Sequence, residues 1–352
     1  EVHLDVRGDA RRPFEFTATV LFQAREADTL WGTSRRLVAV AHLNQATGTP
    51  GLGRSELSLE AQDTHTPWSD AERVRLALFW SQSPTNPVPV AIDGRLEFDG
   101  VYTAWGETPQ LQFTVTGQPT RDNPALLETE WRLTSGSLLT VRGSSATNEL
   151  IAHLVHDDLH PVPRRGDWKL HVREPSISWG SARELHLAGT FAPQADGTPR
   201  QATPDWGWWS ALEPVRLTWD ADLDDLQLTN AVFDNVQCSG TWDAPHLTVD
   251  RLHGVLDGRP VHLRGQVNVA TRRVEADGEL GLDVKRLGSL LTARTRDWLE
   301  DYGWVTPPAV QSRLWLTLPA WTNAHPDWRA DVQPTLGLDG SLEGTNGPYH
   351  FK

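Results

Sequence analysis

Trp31, Trp68, Trp105 and Trp179 fall on one 37-residue ruler, the last two separated by two periods, and the intervening mark is Arg142. Glycine follows four of the five marks, as Gly32, Gly106, Gly143 and Gly180. Nine residues before the marks stand Phe22, Leu59, Leu96, Leu133 and Leu170. Six and eight residues after come apolar pairs such as Leu37 and Ala39, Val74 and Leu76, Leu111 and Phe113, Leu185 and Leu187; only the fourth unit departs, with Asn148 before Leu150. A fixed period of this length marks an array of one supersecondary unit, and it restricts the fold more than any other property of the chain.

The unit itself reads as β-structure. Leu57, Leu59 and Ala61 alternate with Ser58 and Glu60, and after Trp68 the run from Val74 to Trp80 alternates again. A period of two predicts half-buried strands, joined here by a short link that carries the tryptophan. Between units lie breaker clusters: Gly48 to Gly51, Pro84 to Pro87, Gln118 to Pro124, and Pro161 to Pro163. A lone hairpin is marginal in water, so the units are expected to add edge to edge into one antiparallel sheet over 1–190 with an unbroken apolar face. Phe22, Leu59, Leu96, Leu133 and Leu170 should then stack in one row. A β-propeller scaffold fits less well, because each repeat supplies two strands where a blade needs four.

Projecting the ruler backwards places Val2, Leu4 and Val6 inside a second strand, and Gly347 to Lys352 resembles the start of another. The expectation is a piece of a longer protein whose signal or membrane anchor lies outside the sequence in hand. A net charge of −14 argues against binding a phosphate backbone. One cysteine, Cys238, excludes an internal disulfide framework and a cysteine-rich zinc site.

Beyond residue 190 the period breaks and strands crowd together: Val215–Trp219, Leu223–Leu228, Val232–Trp242, His246–Arg251, Gly254–Leu256, Val261–Val269 and Val274–Val284, then two more near Ser312–Leu318 and Leu336–Leu342. Leu287, Leu290, Leu291, Trp298, Leu299 and Tyr302 recur at helical spacing and predict an amphipathic helix over about 285–302. Such a stripe needs an apolar surface to bury against, and the sheet's own face is the expected one.

The run from Thr248 through Gly254-Val255-Leu256-Asp257-Gly258-Arg259 to Val269, then Val274 to Val284 and the leucine-rich helix, resembles the AsmA-like and TamB-like proteins of Gram-negative envelopes. The resemblance covers about 211–350. It implies an elongated all-β fold, a repeating sheet curled into an open apolar groove, that is anchored at the inner membrane, carries phospholipid across the periplasm and holds no catalytic residues.

Several local patterns compete with that reading. Seventeen tryptophans suit a carbohydrate-stacking platform, but indoles at one repeat position beside a turn are expected to plug the same corner of each unit. For Trp206-Gly207-Trp208-Trp209 both readings stay open. His156-Asp157-Asp158-Leu159-His160 has metal-compatible chemistry yet occupies an inter-repeat loop slot. Asp222, Asp224 and Asp225 lack the glycine and distal glutamate of a calcium loop and read as a solvated strand end. Arg7-Gly8-Asp9 and Arg165-Gly166-Asp167 read as turn chemistry, and Gly51-Leu52-Gly53 precedes a strand, where it is no phosphate loop.

The resulting expectation is a non-enzymatic lipid-binding and lipid-transfer segment without cofactor or metal, whose partner is phospholipid and not nucleic acid. The alternative is a tryptophan-rich carbohydrate-binding or adhesion module. The expected acyl-chain lining is Phe22, Leu59, Leu76, Leu78, Leu96, Phe98, Phe113, Val115, Leu133, Leu154, Leu170 and Leu187, continued by Val261, Leu263, Leu280 and Leu282.

Overall fold

The computed structural model describes residues 1–8, 16–30, 32–46, 53–83, 86–124, 126–157, 163–178, 180–194, 204–228, 231–256, 259–281, 309–323, 326–344 and 347–351. The chain forms two compact units, Glu1–Ser178 and Trp179–Lys352. Both are antiparallel β-structure.

In the first unit the strands are β1 (Val2–Gly8), β2 (Phe16–Thr29), β3 (Gly32–Ala46), β4 (Gly53–His65), β5 (Ser69–Ser83), β6 (Asn86–Thr103), β7 (Gly106–Pro119), β8 (Leu126–Ser135), β9 (Leu138–Thr140), β10 (Gly143–Ser145), β11 (Thr147–Asp157), β12 (Pro163–Arg173) and β13 (Ser176–Ile177). From β1 to β8 each strand pairs with its successor; β8 then pairs with β11, and β11 with β12. The short strands β9 and β10 continue this hairpin along the edge, where β9 pairs with β7 and β10 with β13.

The register has a simple consequence. Directly opposite partners run Val2, Phe22, Ala39, Leu59, Leu76, Leu96, Phe113, Leu133, Leu150 and Leu170 without a slip. The expected five-residue row therefore exists, and each gap in it is filled by the apolar residue eight positions after a mark. A one-residue slip would turn every one of these side chains to the other face, so the apolar row pins the register.

At four of the five marks a threonine two residues earlier closes the hairpin; at the fifth the position is Ile177. Thr66 Oγ1 accepts the N–H groups of Trp68 and Ser69 at 3.3 and 2.9 Å and donates to the Ser69 carbonyl at 2.9 Å. Thr103 and Thr140 make the same three bonds around Trp105-Gly106 and Arg142-Gly143, and Thr29 donates to the Gly32 carbonyl at 2.8 Å. Because the hydroxyl closes the corner, there is no corner left for an indole to plug. Trp68 and Trp105 point outward, 64% and 72% exposed, which corrects the expected role at these two marks; Trp31 and Trp179 lie outside the described residues.

The glycine after the mark has a non-local cause. A Cβ on Gly32, Gly106 or Gly143 would collide with the carbonyl oxygen of His65, Leu139 or Ser176, each 33 residues onward in the next repeat. Five residues before the marks the backbone turns left-handed, at Glu26 (φ 55°), Asp63 (48°), Gly100 (60°) and Glu174 (51°). One rung of pairing is missing there in successive strand pairs while the register resumes beyond it, so a crease crosses the sheet on the same ruler. Past the crease Ser34, Ala71, Thr108 and Ser145, three residues after the marks, are buried. The one polar departure from the pattern, Asn148, lies at this crease: its Nδ2 donates to Ser135 Oγ at 2.9 Å and its Oδ1 accepts from Ser145 Oγ at 2.9 Å.

The second unit comprises β14 (Gly180–Ser181), β15 (Glu184–Pro193), a 3-10 segment Pro204–Leu212, β16 (Val215–Leu228), β17 (Ala231–Asp243), β18 (His246–Leu256), β19 (Arg259–Asn268), β20 (Arg273–Gly281), β21 (Ala309–Thr317), the four-residue α1 (Trp328–Asp331), β22 (Gly337–Gly344) and β23 (Gly347–Phe351). From β15 to β23 each strand pairs with the next. Two expected breaks are absent. Asp220 to Asp222 stay in β16 because β15 and β17 supply hydrogen-bond partners on both sides, and Arg251 to Gly254 stay in β18 across a bulge. The expected helix at 285–302 lies outside the described residues.

A tryptophan core closes one end of this sheet's apolar face. Trp242 (1% exposed) and Trp206 (5%) are buried with Ala244 and Val269, and Trp209, Leu217, Leu247 and Trp321 pack around them. Trp209 stacks on Trp242 with centroids 5.1 Å apart and meets Trp321 edge-on at 5.6 Å. Trp242 Nε1 donates to the Leu212 carbonyl at 2.8 Å, and Trp321 Nε1 to that of Val269 at 2.9 Å. Trp206 and Trp209 are therefore structural.

The close approach at the marks predicts that Gly106→Ala lowers unfolding stability by about 1–3 kcal/mol, the usual penalty for forcing atoms into a packed site. Gly136→Ala, whose Cβ would meet nothing nearer than Pro109 at 3.6 Å, should stay within about 1 kcal/mol of wild type. Urea unfolding midpoints of the two variants test the difference.

Candidate functional site: a two-faced sheet

In the first unit, alternation separates the two faces chemically. The apolar face carries the ten-rung row described above. Beside it runs Leu4, Val20, Ala41, Leu57, Leu78, Gly94, Val115, Trp131, Ala152 and Trp168, and on the other side Leu37, Ala61, Val74, Phe98 and Leu111. Leu154 belongs to the row beyond, opposite Thr129. The eleven sequence-predicted lining residues of the first unit thus share one face, and Leu187 belongs to β15 of the second unit.

The central row is not sealed. Phe22 is 36% exposed, and Leu59, Leu76, Leu96, Phe113, Leu133, Leu150 and Leu170 are half-buried. Full burial is reserved for flanking positions such as Ala18, Ser55, Ala61, Thr129, Leu154 and Val172. A sheet covered by a second dry layer buries its central leucines completely; here the flanks are dry and the centre is accessible. Phe113 meets Trp131 edge-on with centroids 5.5 Å apart, so an aromatic pair sits on this accessible face.

In the second unit Leu187 lies in a row with Ala221, Cys238, Leu252 and Leu263. Val261 and Leu280 lie in the next, with Leu223, Val236, Gly254 and Val310. Leu282 lies outside the described residues. Burial pushes the Cys238 thiol above its ordinary value, which makes it a small hydrophobe of this row rather than a reactive thiolate.

The first unit's opposite face holds the ionisable groups, paired within and across strands. Arg75 reaches Glu97 at 3.5 Å and Asp99 at 3.3 Å, Arg95 pairs with Glu97, and Arg132 with Glu149. His153 stands on one rung between Glu130, at 3.5 Å, and Asp167, at 3.0 Å. The hydrogen bond to Asp167 and the two carboxylates raise its pKa against a smaller opposing effect of burial.

Other sequence candidates resolve into structure. His156 is no loop residue: it is buried in β11, with Nε2 3.1 Å from Thr129 Oγ1 and its ring stacked on Trp131. Residues 158–160 lie outside the described residues. Asp224 accepts from Asn235 Nδ2 at 2.9 Å, and Asp225 pairs with Arg183 at 3.0 Å, so the acidic run is engaged within the sheet. Arg165-Gly166-Asp167 is part of β12 rather than a turn. Among the described residues no helix is long and apolar enough to cross a membrane.

No family model matches this chain, and neither does any curated protein or solved structure.

The raised pKa of His153 means that the folded state favours the imidazolium. The associated stability is present below the ordinary histidine value and is lost as pH rises through the raised one. His153→Gln should therefore destabilise the protein more at pH 5 than at pH 8, measured by thermal unfolding. An equal effect at both pH values would show that the pair with Asp167 does not govern it.

Proposed function

We propose that this chain is a non-enzymatic lipid-binding and lipid-transfer segment of a bacterial cell envelope protein, with acyl chains lying along the apolar sheet face. The observation that supports this reading best is the ten-rung apolar row of the first unit, continuous in register, half-buried and unsealed, backed by a face of paired charges. Hydrocarbon has no hydrogen-bond requirements. A face that repeats the same apolar residues every second strand offers it equivalent sites along its whole length. Polar headgroups stay in solvent, so phospholipids of differing chain length fit equally well.

The resemblance of residues 211–350 to AsmA-like and TamB-like proteins agrees with this proposal and extends it: the compartment is the periplasm, and anchoring is at the inner membrane through a segment outside this sequence. The residues assigned to the lipid path are Leu59, Leu76, Leu96, Phe113 and Leu133 in the central row, with Leu78, Val115 and Phe98 beside them.

Replacing Leu96 and Leu133 together with aspartate places two charges on the row two strands apart. The double variant should lose at least about tenfold in affinity for a fluorescent phospholipid, because each charge removes a leucine's burial and adds a desolvation penalty. Arg95→Leu, on the opposite face, should bind as wild type does. Wild-type protein that ignores phospholipid, or a double variant that binds it unchanged, would overturn the proposal.

A further inference from the structure

The meander places every second connection on the same edge of the first unit, and these are the threonine-closed turns at the marks. Their tips carry apolar side chains held in water: Leu30 is 96% exposed, Trp68 64%, Trp105 72% and Val141 89%. Successive tips are two strands apart, roughly 9–10 Å, so the four form a line roughly 30 Å long. Where the mark is Arg142 instead of tryptophan, the preceding residue, Val141, supplies the exposed apolar group. Between the third and fourth tips Tyr102 and Leu139 are also exposed and border a shallow concavity of about 300 Å³.

We propose that this edge is a membrane-contact site, the tips inserting into the interfacial layer of an uncharged, zwitterionic bilayer. Three features select that occupant. First, the backbone of the turns offers few donors to a hydrogen-bonding ligand. The N–H groups of Trp68, Ser69, Trp105, Gly106, Arg142 and Gly143 are already taken by Thr66, Thr103 and Thr140. A turn whose donors are satisfied internally enters a water-poor layer cheaply, whereas a sugar or a peptide strand would find those donors used. Second, the tips stand in a line, which suits a planar partner, and tryptophan is the side chain that favours the membrane–water interface. Third, the exposed neighbours Asp28, Asp70 and Glu107 are acidic against one cation at the tips, Arg142, so the net charge of the line disfavours an anionic surface. The contact rests on the turns alone and does not depend on lipid lying along the apolar face.

Flotation with phosphatidylcholine vesicles tests it. Wild type should float with the vesicles, and adding anionic lipid should weaken the association. Trp68→Ala/Trp105→Ala should reduce the vesicle-bound fraction at least about fivefold, from the interfacial area of two indoles, while Trp68→Phe/Trp105→Phe retains most of it. Both positions are exposed, so unchanged circular dichroism should accompany the loss. The alanine variant should still bind a short-chain fluorescent phospholipid in monomeric form. Conversely Leu96→Asp/Leu133→Asp should still float, which separates failure of the edge from failure of the apolar face. Wild type that does not float, or an alanine variant that floats as well as wild type, would overturn the assignment. So would tryptophan-dependent retention on a polysaccharide column without flotation.

Discussion

The first unit depends on one constraint, the agreement between the 37-residue repeat and the geometry of two antiparallel strands with their turns. Because the register repeats across the centre of its hairpins, a residue there meets its own equivalent two strands away. Leu59, Leu96 and Leu133 share a row for this reason, with Leu76, Phe113 and Leu150 between them. Shifting one strand by a residue would place its apolar set among Arg75, Glu97 and Glu149. The cost of burying those charges beside leucine holds the array in place.

The same constraint divides labour between the faces and the edge. Charges paired across strands keep one face hydrated and supply cross-strand attraction, each exposed pair contributing little on its own. The apolar face carries no such pairing and is left half-buried at its centre, while small residues such as Ala18, Ser55 and Ala61 make the dry margins. At the edge, the threonine hydroxyl satisfies the turn internally and frees the adjacent side chain from any packing duty. Trp68 and Trp105 are exposed as a result of that closure.

Much of this was legible in the sequence, because periods of two and of 37 are both set by local alternation. The row from Phe22 to Leu170, the turns at the marks and the second-unit strands follow from it. Features set by distant chain were not legible. Gly106 looks like a turn glycine, but its cause is the Leu139 carbonyl of the next repeat. The crease uses Glu26, Asp63 and Glu174, and acids do not advertise a left-handed backbone as glycine does. His156 sits in a charged, loop-like string, yet Thr129 and Trp131 on the neighbouring strand bury it. Asp220 to Asp222 resemble a strand break until two flanking strands supply their hydrogen bonds. Trp206 and Trp209 left two readings open because their partners, Trp242 and Trp321, lie far along the chain.

The proposed function requires the two faces to differ in what they touch, hydrocarbon on one and water on the other. Photocrosslinking from single positions on adjacent residues tests it most directly. A benzophenone amino acid replacing Leu96 should capture phospholipid when the protein is incubated with it, and one replacing Arg95 on the opposite face should not. Equal capture from both positions, or none from Leu96, would contradict the account.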